Sequence, residues 1–289
     1  MSEGESVVRR LWTVAEPIHA VTYFAPESSA AYEAAGLSGF WRGYFAGRAA
    51  PMGAVAAGPV IATFYNFAPA FVRRAVPTVW ERIGPDEAIA ARLAGAAAGL
   101  RRMAGDSLAI EPLTETVDLL RQVVSMAGAV GRPLFAANQE LDWPTDPVEA
   151  LWHGTTLLRE HRGDGHVVAL TEAEIDGIEA HVLRLAVAGL DGAWLEPFRG
   201  WSADERAAAA DRLEGRGLVD ARSLAPTVEG RRLLDSIEAT TDRLAGRPFE
   251  ELGSAAAARL VHLLAPLATA ITASGAIPFP NPIGLPAPT

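Results

Sequence analysis

The sequence contains no cysteine among its 289 residues. Without thiols the chain cannot form disulfides, bind zinc or iron–sulfur clusters through cysteine, or use a cysteine nucleophile. Lysine is absent as well, so that all 25 basic residues are arginine. This second absence excludes Schiff-base catalysis and the covalent anchoring of pyridoxal phosphate. Whether the protein binds a cofactor is not indicated by the sequence.

Long hydrophobic runs are also missing. No uninterrupted apolar stretch reaches the ~18 residues that a membrane span needs, and the N-terminus MSEGESVVRRLW lacks the apolar core of a signal peptide. We therefore expect a cytoplasmic protein with no membrane partner. The loops G-x-x-x-x-G-K-[ST], G-x-G-x-x-G and G-x-S-x-G, which bind phosphates or carry a nucleophilic serine, are not found either.

The residues that are present describe a globular chain with an acidic balance. Hydrophobic residues make up 49% of the sequence and charged residues 21%, and the formal net charge is −10. The length allows two domains or one large one. Nucleic-acid binding depends on a basic surface, so the acidic total disfavours DNA as a partner.

An internal repeat organises the sequence. Arg48 in AGRAAPMGAV lies 114 residues before Arg162 in EHRGDGHVVA. Further pairs follow in the same order at offsets of 114 to 118, namely Trp80 with Trp194, Asp86-Glu87 with Asp204-Glu205, Gly99-Leu100 with Gly217-Leu218, Ser107 with Ser223, Leu119 with Leu233, and Gly131 with Gly246. This order predicts two diverged copies in one chain.

The repeat divides the chain into four parts. The first copy occupies residues 1–140 and the second copy residues 152–272. A linker at 141–151 joins them, because Pro144 and Pro147 disfavour a continuous helix. The tail at 273–289 is rich in proline, and we expect it to run extended over the surface.

The second copy shows the clearer local signals. Thr171 is a candidate N-cap for a helix with apolar residues at helical spacing. Ser202 and Glu205 match a capping box, and Gly215 and Gly217 end the helix that follows. The run DARSLAPTVEGRRLL then predicts a short strand-turn-strand and another helix.

This order of elements, with L-x-x-R-G-L-V before the hairpin and T-x-E-G-R-x-L after it, resembles the winged-helix unit of MarR-type regulators. The whole chain, from FWRGYFAGRAAPMG to FPNPIGLP, is similar to an actinobacterial family of helix-turn-helix proteins, the SalK-like proteins. The resemblance implies a mainly α fold with two MarR-like winged-helix copies and short β-hairpin wings. Because MarR-type proteins are two-fold dimers, it implies a pseudo-dimer that exists as a monomer or pairs again as a homodimer.

In the resemblance, residues 202–215 are a recognition helix and residues 220–226 a wing, which makes Arg206, Arg212 and Arg222 the candidate DNA contacts. Acidic residues and four alanines surround these arginines, and acidic side chains would be repelled by phosphates. We expect DNA binding to be weak or lost.

An aromatic-rich region in the first copy suggests a small-molecule site, although aromatics at helical spacing also build ordinary cores. MarR-type proteins often bind small aromatic effectors, and an apolar pocket with a few polar groups is the usual form of such a site. We expect a small aromatic or amphipathic ligand. The candidate ligand-binding residues are His19, Tyr23, Trp41, Tyr44, Arg48, Tyr65, Asn66, His153 and Arg162.

The run LREHRGDGHVVAL crowds ionisable groups into thirteen residues. Arg162 aligns with Arg48 of the first copy, whereas Asp164 aligns with Ala50 and His166 with Met52. Asp164 and His166 are therefore the candidate catalytic residues. A tight turn at Gly165 would let Asp164 orient His166 as a general base.

Three other interpretations of the same run stay open. A metal site would use His153, Glu160, His161 and His166, but their spacing matches no known ligand motif. The two arginines with a histidine would bind a carboxylate or phosphate of a ligand. Finally, the polar residues would simply form a satisfied structural network. The leading hypothesis is a small-molecule-binding protein related to MarR-type transcriptional regulators, and the alternative is an enzyme on the same scaffold.

Overall fold

The computed structural model describes residues 6–190, 192–220, 222–223 and 225–285. In these residues the chain is mainly α-helical, as the sequence predicts. The α-helices are α1 (Val7–Phe24), α2 (Pro26–Ala34), α3 (Phe40–Ala49), α4 (Ala57–Phe64), α5 (Pro69–Arg73), α6 (Pro85–Ala104), α7 (Ile110–Ser125), α8 (Pro133–Gln139), α9 (Pro147–Glu172), α10 (Gly177–Ala188), α11 (Glu196–Arg199), α12 (Ala203–Gly215), α13 (Val228–Leu252) and α14 (Ser254–Ala273). Short 3-10 turns lie at Ala50–Met52, Thr78–Glu81, Gly105–Ser107 and Gly192–Leu195.

The 26-residue helix α9 is the centre of a helical body that also includes α1, α6, α7, α8, α13 and α14. It begins at Pro147, where the Asp146 carboxylate accepts hydrogen bonds from the backbone N–H groups of Val148 and Glu149 at 2.9 and 3.0 Å. Pro147 therefore starts a helix, because proline at the first helical position needs no N–H partner. Trp152 is 1% exposed in the middle of the body, and its Nε1 donates to the His19 carbonyl.

The whole run LREHRGDGHVVAL lies within α9. The tight turn expected at Gly165 is therefore wrong. Glycine serves a different purpose here, because a Cβ at this position would lie 2.8 Å from an Arg132 Nη1 atom. Arg132 crosses α9 at this point and donates to the carbonyls of His161 and Leu244. The glycine thus makes room for an arginine that ties α9 to α13.

The helix after α9 also begins later than expected. Thr171 lies inside the last turn of α9, and the N-cap of α10 is Asp176. The Asp176 carboxylate accepts from the N–H groups of Ile178 and Glu179, while the Glu179 carboxylate accepts from the Asp176 N–H at 3.0 Å. This reciprocal capping box satisfies the free N–H groups of the first turn better than a lone threonine would.

A second hydrophobic cluster contains the aromatic-rich region, which α2 to α5 and the start of α6 enclose. Phe45 and Val60 are fully buried in it, and Trp41 contacts the Phe71 ring edge-on at a centroid distance of 4.9 Å. Most of the aromatic side chains therefore build a core, which is the ordinary role of aromatics at helical spacing.

The third cluster lies where α10, α12 and the start of α13 pack on the end of α9, and we call α10 to α12 the second lobe. The expected capping box at Ser202 is confirmed, and Gly217 adopts φ +71° after the helix ends. An isolated antiparallel bridge joins Val219 to Pro226, and Thr227 caps α13. This bridge is the one β contact in the described part of the chain.

The segment that the repeat aligns with this lobe is built differently. Helix α6 runs unbroken for 20 residues through the body. The wing expected after it in the first copy is wrong, because residues Gly105–Ser107 form a 3-10 turn and α7 already begins at Ile110. Burial explains the difference, since Arg92 in the middle of α6 is 4% exposed and donates to the Gly47 carbonyl. The exposed residues of α6 form one stripe, which includes Ala90, Ala94 and Ala98.

Helix α14 is long and apolar enough to cross a membrane when judged by length and composition alone. In the structure it packs against α1, α6, α7 and α13, and Leu260, Leu264 and Ile271 are fully buried. A single helix of this kind is weak evidence for a membrane span, because buried core helices pass the same test.

The C-terminal segment packs into the protein rather than running over its surface. Ile277, Asn281 and Leu285 are 2 to 5% exposed. The Asn281 side chain both donates to the Leu285 carbonyl and accepts from the Leu285 N–H, at 2.9 Å in each case. The expectation of an exposed tail is therefore wrong for residues 276–285, because proline and asparagine here form a closed turn instead of an extended run.

Candidate functional site

A cavity of about 330 Å³ lies between the helical body and the second lobe. Its volume falls within the ~300–1,000 Å³ that small-molecule sites usually have. The walls come from α1, α3, α9, α10, α13, the loop after α4 and the C-terminal segment. The polar lining residues are Arg9, Glu16, Tyr44, Arg48, Asn66, Arg159, Arg162, His166, His181, Arg184, Arg199 and Glu238.

The central property of the cavity is its positive charge. Six of its lining residues are arginines, against two glutamates. Four of the arginines lie in ion pairs on the cavity wall. The pairs are Arg9 with Glu238 and Asp242 at 3.0 and 2.9 Å, Arg162 with the same two acids at 3.1 and 2.9 Å, Arg48 with Glu160 at 3.1 Å, and Arg159 with Glu160 and Glu16 at 2.7 and 3.9 Å.

Arg184 and Arg199 make no ion pair with any described residue. Glu238 acts on Arg184 only through its longer-range field. Arg199 donates to the carbonyls of Phe198 at 2.9 Å and Pro282 at 2.5 Å, which are neutral partners. Burial lowers the pKa of the Arg199 guanidinium to about 10, and Arg184 adds to the effect by repulsion. Four cations and four acids balance, so two positive charges remain on the wall.

Three buried polar atoms on this wall have no hydrogen-bond partner: Nε of Arg162, Nε of Arg199 and Oδ1 of Asn66. Buried polar atoms are nearly always paired in folded proteins, because an unmade hydrogen bond costs about 1–3 kcal/mol. Half of the six atoms of this kind lie around one cavity. Such a concentration is typical of a site that completes its hydrogen bonds with a ligand or water.

Asn66 is held at the cavity by a strained turn. Tyr65 has φ +40° and ψ −52°, and the N–H of Asn66 donates back to the Phe64 carbonyl. This is the rare form of the γ-turn, and strained backbone of this kind persists only where its surroundings enforce it. The Tyr65 hydroxyl donates to the Ile175 carbonyl at 2.6 Å, and a Cβ at Gly177 would lie 2.1 Å from the Tyr65 carbonyl oxygen.

Two histidines at the cavity are uncharged at neutral pH. Burial, followed by repulsion from Arg199 and Arg184, lowers the pKa of His181 well below its ordinary value. Burial also lowers the pKa of His166, against the opposing effect of Glu238. Nε2 of His181 lies 3.0 Å from the Asn66 carbonyl oxygen, and Nδ1 of His166 lies 3.0 Å from the Thr241 hydroxyl.

The rest of the wall is apolar. Trp12, Phe67, Leu170, Ile237 and Ile283 line it together with several smaller side chains. The Trp12 ring stacks under the Arg162 guanidinium at 4.9 Å, and the Phe67 ring stacks under that of Arg199 at 4.7 Å. The cavity therefore combines an apolar surface with a cationic one, which suits an amphipathic molecule.

A smaller space of about 70 Å³ adjoins this cavity and shares Tyr44 and Arg48 with it. His19 lies in it with Nε2 2.8 Å from the Tyr23 hydroxyl and Nδ1 2.9 Å from the Thr156 hydroxyl. Burial lowers the pKa of His19 well below its ordinary value. Both ring nitrogens of His19 are therefore paired, whereas Nε of Arg92, which also lines this space, has no hydrogen-bond partner among the described residues.

Six of the nine candidate ligand-binding residues line these two spaces, and a seventh lies beside them. His19, Tyr23, Tyr44, Arg48, Asn66 and Arg162 line one or both of them, and Tyr65 holds the turn beside Asn66. The remaining two lie elsewhere: Trp41 packs in the aromatic cluster, and His153 packs edge-on against Trp143 at 5.0 Å.

The catalytic pairing of Asp164 with His166 does not form. The Asp164 carboxylate accepts from the Phe135 N–H at 2.9 Å, on the side of α9 that faces α8. His166 faces Thr241 on α13. Residues two apart on a helix point in different directions, which explains the separation. Burial raises the pKa of Asp164 to about 6, but no second catalytic group lies beside it.

The four candidate metal ligands are also dispersed by the helix. Glu160 lies between Arg48 and Arg159, and although burial opposes ionisation the two arginines lower its pKa to about 2. His161 packs against the Phe135 ring at 5.0 Å. In the described residues, no group of three or more acidic or histidine side chains is arranged to hold a metal ion.

The candidate DNA contacts of α12 are engaged within the protein. Arg206 pairs with Glu196 at 3.1 Å, and Arg212 pairs with Asp176 and Glu179 at 2.7 and 2.8 Å. Arg222 is exposed beyond the helix. With four acids and two arginines, α12 carries a net charge of −2.

Sequence reasoning missed the two unpaired arginines. Arg184 offered a usable signal, because it interrupts an apolar run between the buried residues Leu183 and Leu185. Arg199 offered none, since it ends a four-residue helix and reaches the cavity only through the tertiary fold.

The comparisons with known proteins identify the family. A helix-turn-helix family matches residues 8–278, which include both the helical body and the second lobe. No curated protein and no solved structure matches the chain. The capped helix α12, the positive-φ glycine after it and its packing against α10 agree with a helix-turn-helix element. The chain belongs to a helix-turn-helix family.

Proposed function

We propose that this helix-turn-helix family protein binds a small amphipathic ligand in the cavity between its helical body and its second lobe. The observation that carries the proposal is the concentration of polar groups without a partner among the described residues at one cavity whose wall is partly apolar, namely Nε of Arg162, Nε of Arg199 and Oδ1 of Asn66. Mostly apolar pockets with a few convergent polar groups are the usual form of ligand sites.

The second lobe, in this proposal, is a winged-helix unit of the MarR type. Helix α12 takes the place of the recognition helix, and the bridge between Val219 and Pro226 takes the place of a short wing. DNA binding is weak or lost, because the net charge of α12 is negative and its two arginines already pair with acids. Phosphate contacts need free basic side chains.

Any regulatory effect arises from the place of the cavity. Its walls include α10 of the second lobe and α1 and α9 of the body, so a ligand contacts both at once. A ligand that binds one arrangement of lobe and body better than another shifts the population toward it.

The fluorescent dye 1-anilinonaphthalene-8-sulfonate tests the proposal, because it is small, aromatic and amphipathic. We expect saturable fluorescence with the folded protein and a loss of at least tenfold in affinity when Ala180→Phe places a ring in the cavity. The control is Ala188→Phe on the same helix, at an exposed position outside the cavity.

Equal dye binding by the two variants and the unchanged protein would overturn the proposal, as would the absence of saturable binding. Circular dichroism and urea denaturation establish that both variants are folded. Native mass spectrometry of freshly purified protein adds an independent readout, with a retained small molecule that is displaced by the dye as the expected result.

A further inference from the structure

Two cavity arginines that have no acidic partner among the described residues indicate what kind of ligand the cavity takes. We propose that the ligand carries one acidic head group, a carboxylate, sulfonate or phosphate ester, which Arg184 and Arg199 bind while its apolar part contacts the opposite wall. This inference rests on the proposed function, since it specifies the ligand of the same cavity.

The charges around the cavity support an anion. Arg9 and Arg162 share Glu238 and Asp242, Arg48 and Arg159 share Glu160, and Arg159 also pairs with Glu16. These acids are used by their own partners, so they do not neutralise the remaining two arginines. An uncompensated charge in a buried position is expensive, and a bound anion removes that cost.

Arg199 is also oriented for the role. Two of its terminal N–H groups are fixed by the carbonyls of Phe198 and Pro282, and its Cζ lies over the Phe67 ring at 4.7 Å from the centroid. Its Nε has no partner. A guanidinium that is held in place loses little entropy when it binds an acid, and its donors match the oxygens of carboxylates and phosphates.

Arg184 approaches the same space from α10, beside the C-terminal segment. Gly284 has φ +79°, a conformation that favours glycine, and a Cβ there would lie 2.2 Å from Arg184 Nη1, so the segment passes close to this arginine. Arg184 and Arg199 each lower the pKa of His181, which lies on α10 one turn before Arg184. His181 is neutral and therefore does not compete for the anion.

The experiment compares two dyes that differ in charge. 1-Anilinonaphthalene-8-sulfonate carries a sulfonate, whereas N-phenyl-1-naphthylamine has the same rings without it. We expect the anionic dye to bind at least about tenfold more tightly, as a charge-assisted hydrogen bond predicts. We expect Arg184→Gln and Arg199→Gln each to reduce the preference for the anionic dye about tenfold or more. The affinity for the neutral dye should be nearly unchanged.

Two further variants control for charge and for folding. Arg243→Gln removes an exposed arginine of α13 outside the cavity, and it should change the affinity for neither dye. Arg199→Lys keeps the charge and should restore part of the preference. Competition by 2-naphthoate and by 2-naphthyl phosphate then distinguishes a carboxylate from a phosphate, with neutral 2-naphthamide as the reference.

Equal affinity for the two dyes in the unchanged protein would overturn this inference and leave the proposed function standing. A preference that survives both glutamine substitutions, or that Arg243→Gln removes equally well, would also overturn it. Failure of both dyes to bind would instead contradict the proposed function itself.

Discussion

The predicted internal repeat aligns α6 with α12, but the two helices have different surroundings in the fold. Both are rich in alanine. Helix α6 passes through the protein with Ala88, Ala96 and Leu100 fully buried. Helix α12 buries only Ala209, Ala210 and Leu213 and exposes its other face. Similar composition therefore produced one core helix and one surface helix.

Packing partners explain the difference. Helix α2 lies against α6 at a distance that only glycine permits, and α1, α3, α9 and α14 contact α6 as well. Helix α12 has α10 as its main partner. Both helices keep an exposed stripe, but five other helices contact α6 whereas α12 packs mainly on one. The comparison teaches that two segments predicted to be copies need not have the same surroundings.

The largest expected effect separates the arginines of the two helices. Arg92→Ala in α6 should lower the free energy of unfolding by about 3–4 kcal/mol, because it leaves the Gly47 carbonyl and the Asn138 Oδ1 atom without a donor. Arg212→Ala in α12 should cost about 1 kcal/mol, since Arg212 is half exposed and Arg216 remains 4.0 Å from the buried Glu179 carboxylate. Urea denaturation followed by circular dichroism measures both, and equal losses would contradict the comparison.

A second prediction uses the glycines of the same helices. Gly95→Ala in α6 places a Cβ 2.6 Å from the Ser28 Cα atom and should cost about 2–3 kcal/mol. Gly215→Ala in α12 meets no atom within 4 Å and should stabilise the protein by about 0.5–1 kcal/mol. The same urea measurements apply. Stabilisation by Gly95→Ala would show that α2 and α6 are not in close contact.

The two regions should also differ in how their stability depends on pH, because His153 lies beside α6 whereas α12 has no histidine. Burial, with repulsion from Arg92 and Arg121, lowers the pKa of His153 to about 4 from an unfolded value near 6.5. Its contribution to stability is full above pH 6.5 and is lost as the pH falls toward 4.

We therefore expect the unchanged protein to lose about 2 kcal/mol of stability through this group between pH 7.5 and pH 5. His153→Leu should flatten that part of the stability profile. His262→Leu on the exposed side of α14 is the control and should leave the profile as it is. An unchanged slope in His153→Leu would contradict the assignment.

The smallest expected effect concerns DNA. The unchanged protein should bind a labelled duplex weakly in fluorescence anisotropy at low salt. Asp211→Arg raises the net charge of α12 from −2 to 0 and should strengthen binding severalfold, with a steeper dependence on salt. Glu250→Arg, at an exposed position of α13, is the charge-matched control. Tight binding by the unchanged protein would show that α12 reads DNA despite its acids.

The sequence predicted those parts of the fold that depend on neighbouring residues. The capping box of Ser202 with Glu205 and the glycine after α12 were found because caps are local. The continuity of α9 was missed, because RGDGH looks like a turn in isolation. Distant partners hold it as a helix, including Arg132, which occupies the space that Gly165 leaves, and Arg48, which pairs with Glu160.

Part of the candidate site could also be predicted from neighbouring residues in the sequence. Aromatic density and the polar residue Asn66 pointed to the right region of the first half of the chain. The cationic wall was not foreseeable, since its arginines come from α1, α3, α9, α10 and α11 and meet only in the folded protein. Asp164 and His166 suggested catalysis because the first copy lacks both residues. The directions of their side chains depend on a helix that the sequence did not reveal.

The cavity is closed at one side by Arg9, near the beginning of the chain, and at another by Gly284, near its end. A ligand bound there contacts both α1 and the C-terminal segment that carries Gly284. Its binding free energy would therefore stabilise the protein only when these two segments have both packed against the cavity. Ligand occupancy would thus couple the folding of two segments that lie far apart in the sequence.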